Sequence, residues 1–173
     1  MTLANRITLT RIVLIPVFIV LLLQGHFVWP AVIFTFTILT DALDGFVARR
    51  RREKTPLGAF LDPLADKLLM FSSYLTLAYL KVIPLWIFVI ILSRDLLIVL
   101  GWAVIYILSG STEITPRFLG KLTTIFQMIT IWLILLSLPH NMTEKLLLLT
   151  VLITVLSGLD YMMSGSRKLG THG

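Results

Sequence analysis

Apolar residues dominate this chain in long, nearly continuous stretches, at roughly 8–23, 28–48, 58–80, 84–109, 118–138 and 143–163. Each approaches the ~20 residues a helix needs to cross a bilayer, and neither the alternation of strands nor the one-sided stripe of surface helices runs through them. The pattern predicts an all-α polytopic membrane protein with six transmembrane helices. The polar joints are short, so residues 1–173 read as one integral-membrane domain with no room for a soluble one.

Helix punctuation agrees with these spans. Thr55-Pro56 and Thr115-Pro116 each read as an N-cap followed by proline in the first helical position, and Pro84 opens the fourth span in the same way. "LSGST" at 108–112 reads as a loop, and the tail "SGSRKLGTHG" is expected to fray. Arg6, Arg11 and the first apolar run resemble the start of a secretory signal. No small-x-small cleavage pattern follows, so a retained helix is expected.

Composition sharpens the membrane reading: 57% of residues are hydrophobic, 14% charged, and the mean hydropathy is +0.95. With no cysteine, disulfides and thiolate metal sites are excluded. The net charge of +6 would fit a nucleic-acid partner in a soluble chain, but here its distribution is more telling, and no nucleic acid is expected. Arg6, Arg11, Arg49 to Arg52, Lys54, Lys67, Arg117, Lys121, Arg167 and Lys168 fall on one side of the six spans, and only Lys81 and Lys145 on the other. The excess of basic residues puts both termini in the cytoplasm.

Against this apolar background stands "TDALDGFVARRRREKTPLGAFLDPLADKLL", residues 40–69. Asp41 and Asp44 are three apart at the cytoplasmic end of the second span. Gly58, Asp62 and Asp66 follow at steps of four at the start of the third, so each set shares a helical face. Four carboxylates this close to a low-dielectric medium need a compensating cation. Only oxygen ligands are on offer, since none of the three histidines, His26, His140 and His172, falls within a span on this side. That donor set selects Mg²⁺ or Mn²⁺ over zinc, with room for two ions, and such ions complete their shells with water and a substrate phosphate. A diphosphate substrate fits. Gly45, Ala48 and Gly58 leave space beside the acids, and Arg49 can pair with a phosphate oxygen. The arginines after Arg49 read as interfacial anchors. Capping a helix end is the bland alternative for Asp41 and Asp44.

The run Asp41-x2-Asp44-Gly45-x2-Ala48-Arg49-x8-Gly58-x3-Asp62-x3-Asp66 resembles, without a gap, the signature of the CDP-alcohol phosphotransferases. "NRITLTRI" is similar to that family's amino-terminal Asn-x-x-Thr-x-x-Arg element. Length and "SGLDY" look most like the bacterial phosphatidylglycerophosphate synthases, with the CMP-forming cardiolipin synthases also similar. The resemblance implies a transferase of phospholipid biosynthesis that moves a phosphatidyl group from CDP-diacylglycerol to an acceptor hydroxyl. It further implies a homodimer in the bacterial inner membrane whose active site faces the cytoplasm. Asp41, Asp44 and Asp62 would hold one metal, Asp41, Asp62 and Asp66 the second, and Asp66 would be the general base. Asn5 and Thr8, with Gly45, Arg49 and Thr55, would grip the cytidine diphosphate.

For the acceptor, Arg94 is the arginine deepest in a span, and Asp95 follows it. Adjacent helical residues point about a quarter turn apart, so the expectation is that the two do not simply neutralise one another and that Arg94 faces an aqueous cavity. Arg117, Lys121 and Thr124 form a polar stripe at the start of the fifth span, near a helix N-terminus that favours anions. With Arg94 this stripe suits the phosphate of glycerol 3-phosphate, while plain interfacial anchoring stays open for Arg117. Thr123 stands where the synthases usually carry a second lysine, and Asp95 where they carry glutamate. Both departures lean toward phosphatidylglycerol as acceptor. A cation- or proton-coupled transporter is the reading from another class, but such sites tend toward the midplane of a repeated architecture, and no repeat is visible.

Overall fold

The computed structural model describes the backbone of residues 3–51, 56–109 and 118–170, and the side chains of 8–40, 61–101, 103, 107, 118–139 and 141–163. Among these residues it is all-helical, with six helices: α1 Leu3–Leu23, α2 Val28–Arg51, α3 Pro56–Tyr79, α4 Leu85–Ser109, α5 Phe118–Leu135 and α6 His140–Gly170. Each apolar stretch coincides with one helix, and the differences lie at the ends. α6 continues to Gly170, through most of the tail that the sequence marks for fraying. Polar side chains alone do not stop a helix when no proline or capping turn intervenes. Proline occupies the first position of α3, as its sequence predicts. Pro84, by contrast, precedes the first helical residue of α4, and its carbonyl accepts from the Ile87 amide at 3.1 Å. It caps α4 and does not occupy its first turn. Thr55, Thr115 and Pro116, like most of the "LSGST" loop, lie outside the described residues.

α1, α3 and α5 end alike. Gly25, Lys81 and Ser137 take positive φ of 80°, 58° and 56°. The amide just beyond each bonds back to the helix: His26 to the Leu21 carbonyl, Val82 to Leu77 and Leu138 to Leu133. These six-to-one bonds are Schellman closures, which use otherwise orphaned carbonyls. Only Gly25 has the residue type that advertises one.

The chain divides into two compact units. In the first, comprising residues 1–83 and 131–138, α1 packs against both α2 and α3, around Phe18, Leu22, Phe34 and Leu77, all fully buried. In the second, comprising residues 84–130 and 139–173, α4 packs on α6. There α5 and α6 meet through buried hydroxyls and an amide. Thr130 and Thr150 share a hydrogen bond of 2.7 Å, and Gln127 Nε2 donates to Thr154 Oγ1 at 3.3 Å.

Large apolar side chains face outward along the helices, among them Val13, Val20, Val32, Leu100, Leu148 and Leu152, while Thr, Ser, Gln and two arginines are buried. A water-soluble bundle does the reverse. This distribution suits a lipid solvent, in which helices associate through small and polar contacts. Among the described residues, Phe118–Leu135 and Asn141–Met163 are by themselves long and apolar enough to cross a membrane.

Candidate active site

α3 carries Asp62 and Asp66 one turn apart and half-buried, with the intervening Ala65 buried. Thr8, on α1, is fully buried and donates its hydroxyl hydrogen to Asp62 Oδ1 at 2.5 Å. Pro63, beside Asp62, has no N–H to give the carbonyl four residues back, so the backbone ladder is open within this acidic turn. Because α1 packs on both α2 and α3, it ties together the two helices that bear the acids.

The registers of those helices also agree. At 1.5 Å per residue, Asp44 lies about 10 Å before the end of α2 and Asp62 about 9 Å after the start of α3. Asp41 and Asp66 each lie about 15 Å from the same two ends. Counted from the helix ends that the short joint connects, the two pairs of acids thus have matching offsets along their own helices. Asp41, Asp44, Gly45, Ala48 and Arg49 sit on α2, Gly58 on α3 and Asn5 on α1, but their side chains lie outside the described residues, as do Thr55 and Arg117 entirely.

Among the described residues no three acidic, histidine or cysteine side chains gather into a metal site; the side chains of Asp41 and Asp44 lie outside those residues. What is described fits a hard cation. Both side chains offer carboxylate oxygens, and the single hydrogen bond at Asp62 Oδ1 leaves acceptor capacity on a group with about four lone-pair sites.

In the second unit, the structure corrects the expectation for Arg94. Its Nη1 pairs with Asp95 Oδ1 at 2.8 Å, so the neighbours do neutralise one another. The long arginine side chain curls back across the quarter turn that separates their Cα–Cβ bonds. Nη2 donates to Ser157 Oγ on α6 at 2.8 Å. The guanidinium is buried, and its Nε has no hydrogen-bond partner. A Cβ on Gly120 would crowd Nη2 at 3.2 Å, whereas one on Gly158 would meet the Arg94 side chain at an ordinary 3.7 Å. Lys121, next to Gly120, is exposed, and Thr124 turns its hydroxyl back to the Gly120 carbonyl. Arg117, the remaining member of the expected polar stripe, lies outside the described residues.

Sequence reasoning passed over Ser157, Gly120 and Gly158 as parts of this site, and Arg11 as a buried residue of α1. A signal for Arg11 was present: it follows Thr8 by three, on the same face. Ser157 carried a weaker one, in the helical spacing of Thr150, Thr154 and Ser157.

An apolar-surfaced helical bundle with acids on two successive helices suits a membrane-embedded enzyme. Residues 1–156 match the family model described as CDP-alcohol phosphatidyltransferase, and the chain belongs to that family. It is 37% identical, over 97% of its length and 83% of the relative's, to a "Probable phosphatidylglycerophosphate synthase" of Mycobacterium tuberculosis. It is 32% identical to the "CDP-diacylglycerol--glycerol-3-phosphate 3-phosphatidyltransferase" of Bacillus subtilis, covering 98% of this chain and 97% of that one. A "Probable cardiolipin synthase (CMP-forming)" of Drosophila melanogaster is 34% identical over 95% of this chain and 58% of its own length.

Proposed function

We propose that this protein transfers the phosphatidyl group of CDP-diacylglycerol to a hydroxyl of glycerol 3-phosphate, releasing CMP, as a step of phospholipid biosynthesis. In this reading all six helices cross the bacterial inner membrane, both termini and the acids face the cytoplasm, and the chain works as a homodimer. The observation that carries it is the family match over residues 1–156, in a chain with Asp41 and Asp44 on α2 and Asp62 and Asp66 on α3.

Asp41, Asp44 and Asp62 would hold one divalent cation and Asp41, Asp62 and Asp66 a second; Mg²⁺ or Mn²⁺ there neutralises the diphosphate. Asn5, Gly45, Ala48, Arg49, Thr55 and Gly58 flank the nucleotide, small where it must approach and cationic at Arg49. Asp66 takes the proton of the acceptor hydroxyl, whose oxygen bonds to the lipid-side phosphorus. The bond from that phosphorus to the bridging oxygen breaks, and CMP leaves with that oxygen.

A lipid substrate also has somewhere to lie. An apolar groove of about 600 Å³ runs along α2 from Leu39, just before Asp41, to Val28, walled by Trp132 and Leu136 at the end of α5. The Trp132 indole donates to Thr35 Oγ1 at 2.8 Å, which fixes that wall. The groove's span of about 16 Å equals the hydrocarbon depth of one leaflet, ~15 Å, so it suits an acyl chain whose head group is at the acids.

Phosphatidylglycerol is the second reading for the acceptor, favoured by one observation. The Arg94 charge is already offset by Asp95, which weakens its pull on a dianionic phosphate, and Arg117 and Lys121 would have to supply the rest. Proteoliposomes holding CDP-diacylglycerol and Mg²⁺, supplied with either acceptor, separate the two by CMP release. Release with phosphatidylglycerol alone would replace the first reading by the second. Release with neither would end both.

A further inference from the structure

The resemblance to relatives assigns Thr8 to the nucleotide, but its surroundings argue otherwise. The residue is fully buried, and its hydroxyl donates to Asp62 Oδ1. Arg11, three positions along the same face, is 2% exposed, so this stretch of α1 is an inner wall of its unit and not the rim of a cleft.

We infer that Thr8 is a positioning residue for the metal site, holding the Asp62 carboxylate in one orientation and making no contact with the nucleotide. The inference rests on the proposed metal-binding role of Asp62. Thr8 is suited to the task. Its β-branched side chain has few rotamers within a helix, and α1 is held in place by both α2 and α3. A hydrogen bond to one carboxylate oxygen fixes the plane of the group and leaves its remaining lone pairs aimed at a cation. Ligands left without such support sample orientations that cannot bind, and affinity falls by the fraction of time lost.

The test is Mn²⁺ binding, followed by electron paramagnetic resonance, to the full-length chain in detergent with no nucleotide or lipid substrate present. Thr8→Val keeps shape and removes the donor, and is expected to weaken Mn²⁺ binding by ~10–100-fold. Thr8→Ser restores the hydroxyl and should bind within about threefold of wild type, a recovery that loss of packing alone would not allow. At saturating Mn²⁺, the KM for CDP-diacylglycerol should be the same in all three. Wild-type Mn²⁺ affinity in Thr8→Val, with a raised KM for CDP-diacylglycerol, would overturn the inference and return Thr8 to the nucleotide. Should Thr8→Val not fold, Thr8→Ala carries the same expectation. The wild-type arm keeps the two proposals apart: absence of any Mn²⁺ binding there refutes the metal site itself, and the role of Thr8 with it.

Discussion

Ser157→Ala removes a single oxygen atom, yet it should measurably destabilise the second unit. Arg94 is 6% exposed, with Nη1 on Asp95, Nη2 on Ser157 and Nε without a hydrogen-bond partner. Without the serine hydroxyl, a second donor of the same buried cation is stranded. A hydrogen bond to a charged group contributes about 1.5–3 kcal/mol, well above the ~0.6 kcal/mol average for neutral pairs between membrane helices. At ~2–4 °C per kcal/mol for a chain of this size, the melting temperature should fall by about 3–12 °C. Thermal unfolding in detergent, followed by circular dichroism, reads this directly, with Ser157→Thr as the control that keeps a hydroxyl. A Ser157→Ala protein melting within about 1 °C of wild type would refute the reasoning, since the guanidinium would then have another partner at no cost.

Asp66→Asn should abolish CMP release while leaving the melting temperature within about 2 °C, because it removes the proton acceptor from a half-buried site without changing its volume; full turnover in this variant would reassign the base. Across the α5–α6 seam, Thr130→Val or Thr150→Val alone should cost about 0.6–1.5 kcal/mol, and the double variant little more than either, a coupling that chemical unfolding can measure. Additive single effects would mean that the two hydroxyls are satisfied by the Phe126 and Leu146 carbonyls of their own helices and do not couple. Ser137→Gly relieves a left-handed backbone position and should raise stability by about 0.5–1 kcal/mol, and an unchanged melting temperature would argue against strain at that helix end.

Six long apolar runs sufficed to place six helices, because a helix that satisfies its own backbone in lipid needs little else from its neighbours. Their ends were less legible. Lys81 and Ser137 close helices in conformations their residue types do not announce, and α6 outruns its apolar stretch. The four aspartates stood out because carboxylates are rare in such company, and their steps of three and four already ordered them on helical faces.

Pairings across the bundle were another matter. Helical spacing says which side chains share a face, but not which residue of another helix stands opposite. So Thr8 could be grouped with the nucleotide ligands in the sequence, whereas only the packing of α1 on α3 brings it to Asp62. Arg94 and Asp95, judged by the angle between their Cα–Cβ bonds, looked unable to pair. The reach of the guanidinium, the serine on α6 and the room left by Gly120 decided that they do. What the sequence by itself determined was the apolar character of the chain, the helices and the helical faces that the acids share, all of which follow from local spacing and composition. The tertiary structure decided which buried polar groups satisfy one another, because a polar atom withdrawn from water must find its partner across space, and the chain order does not name it.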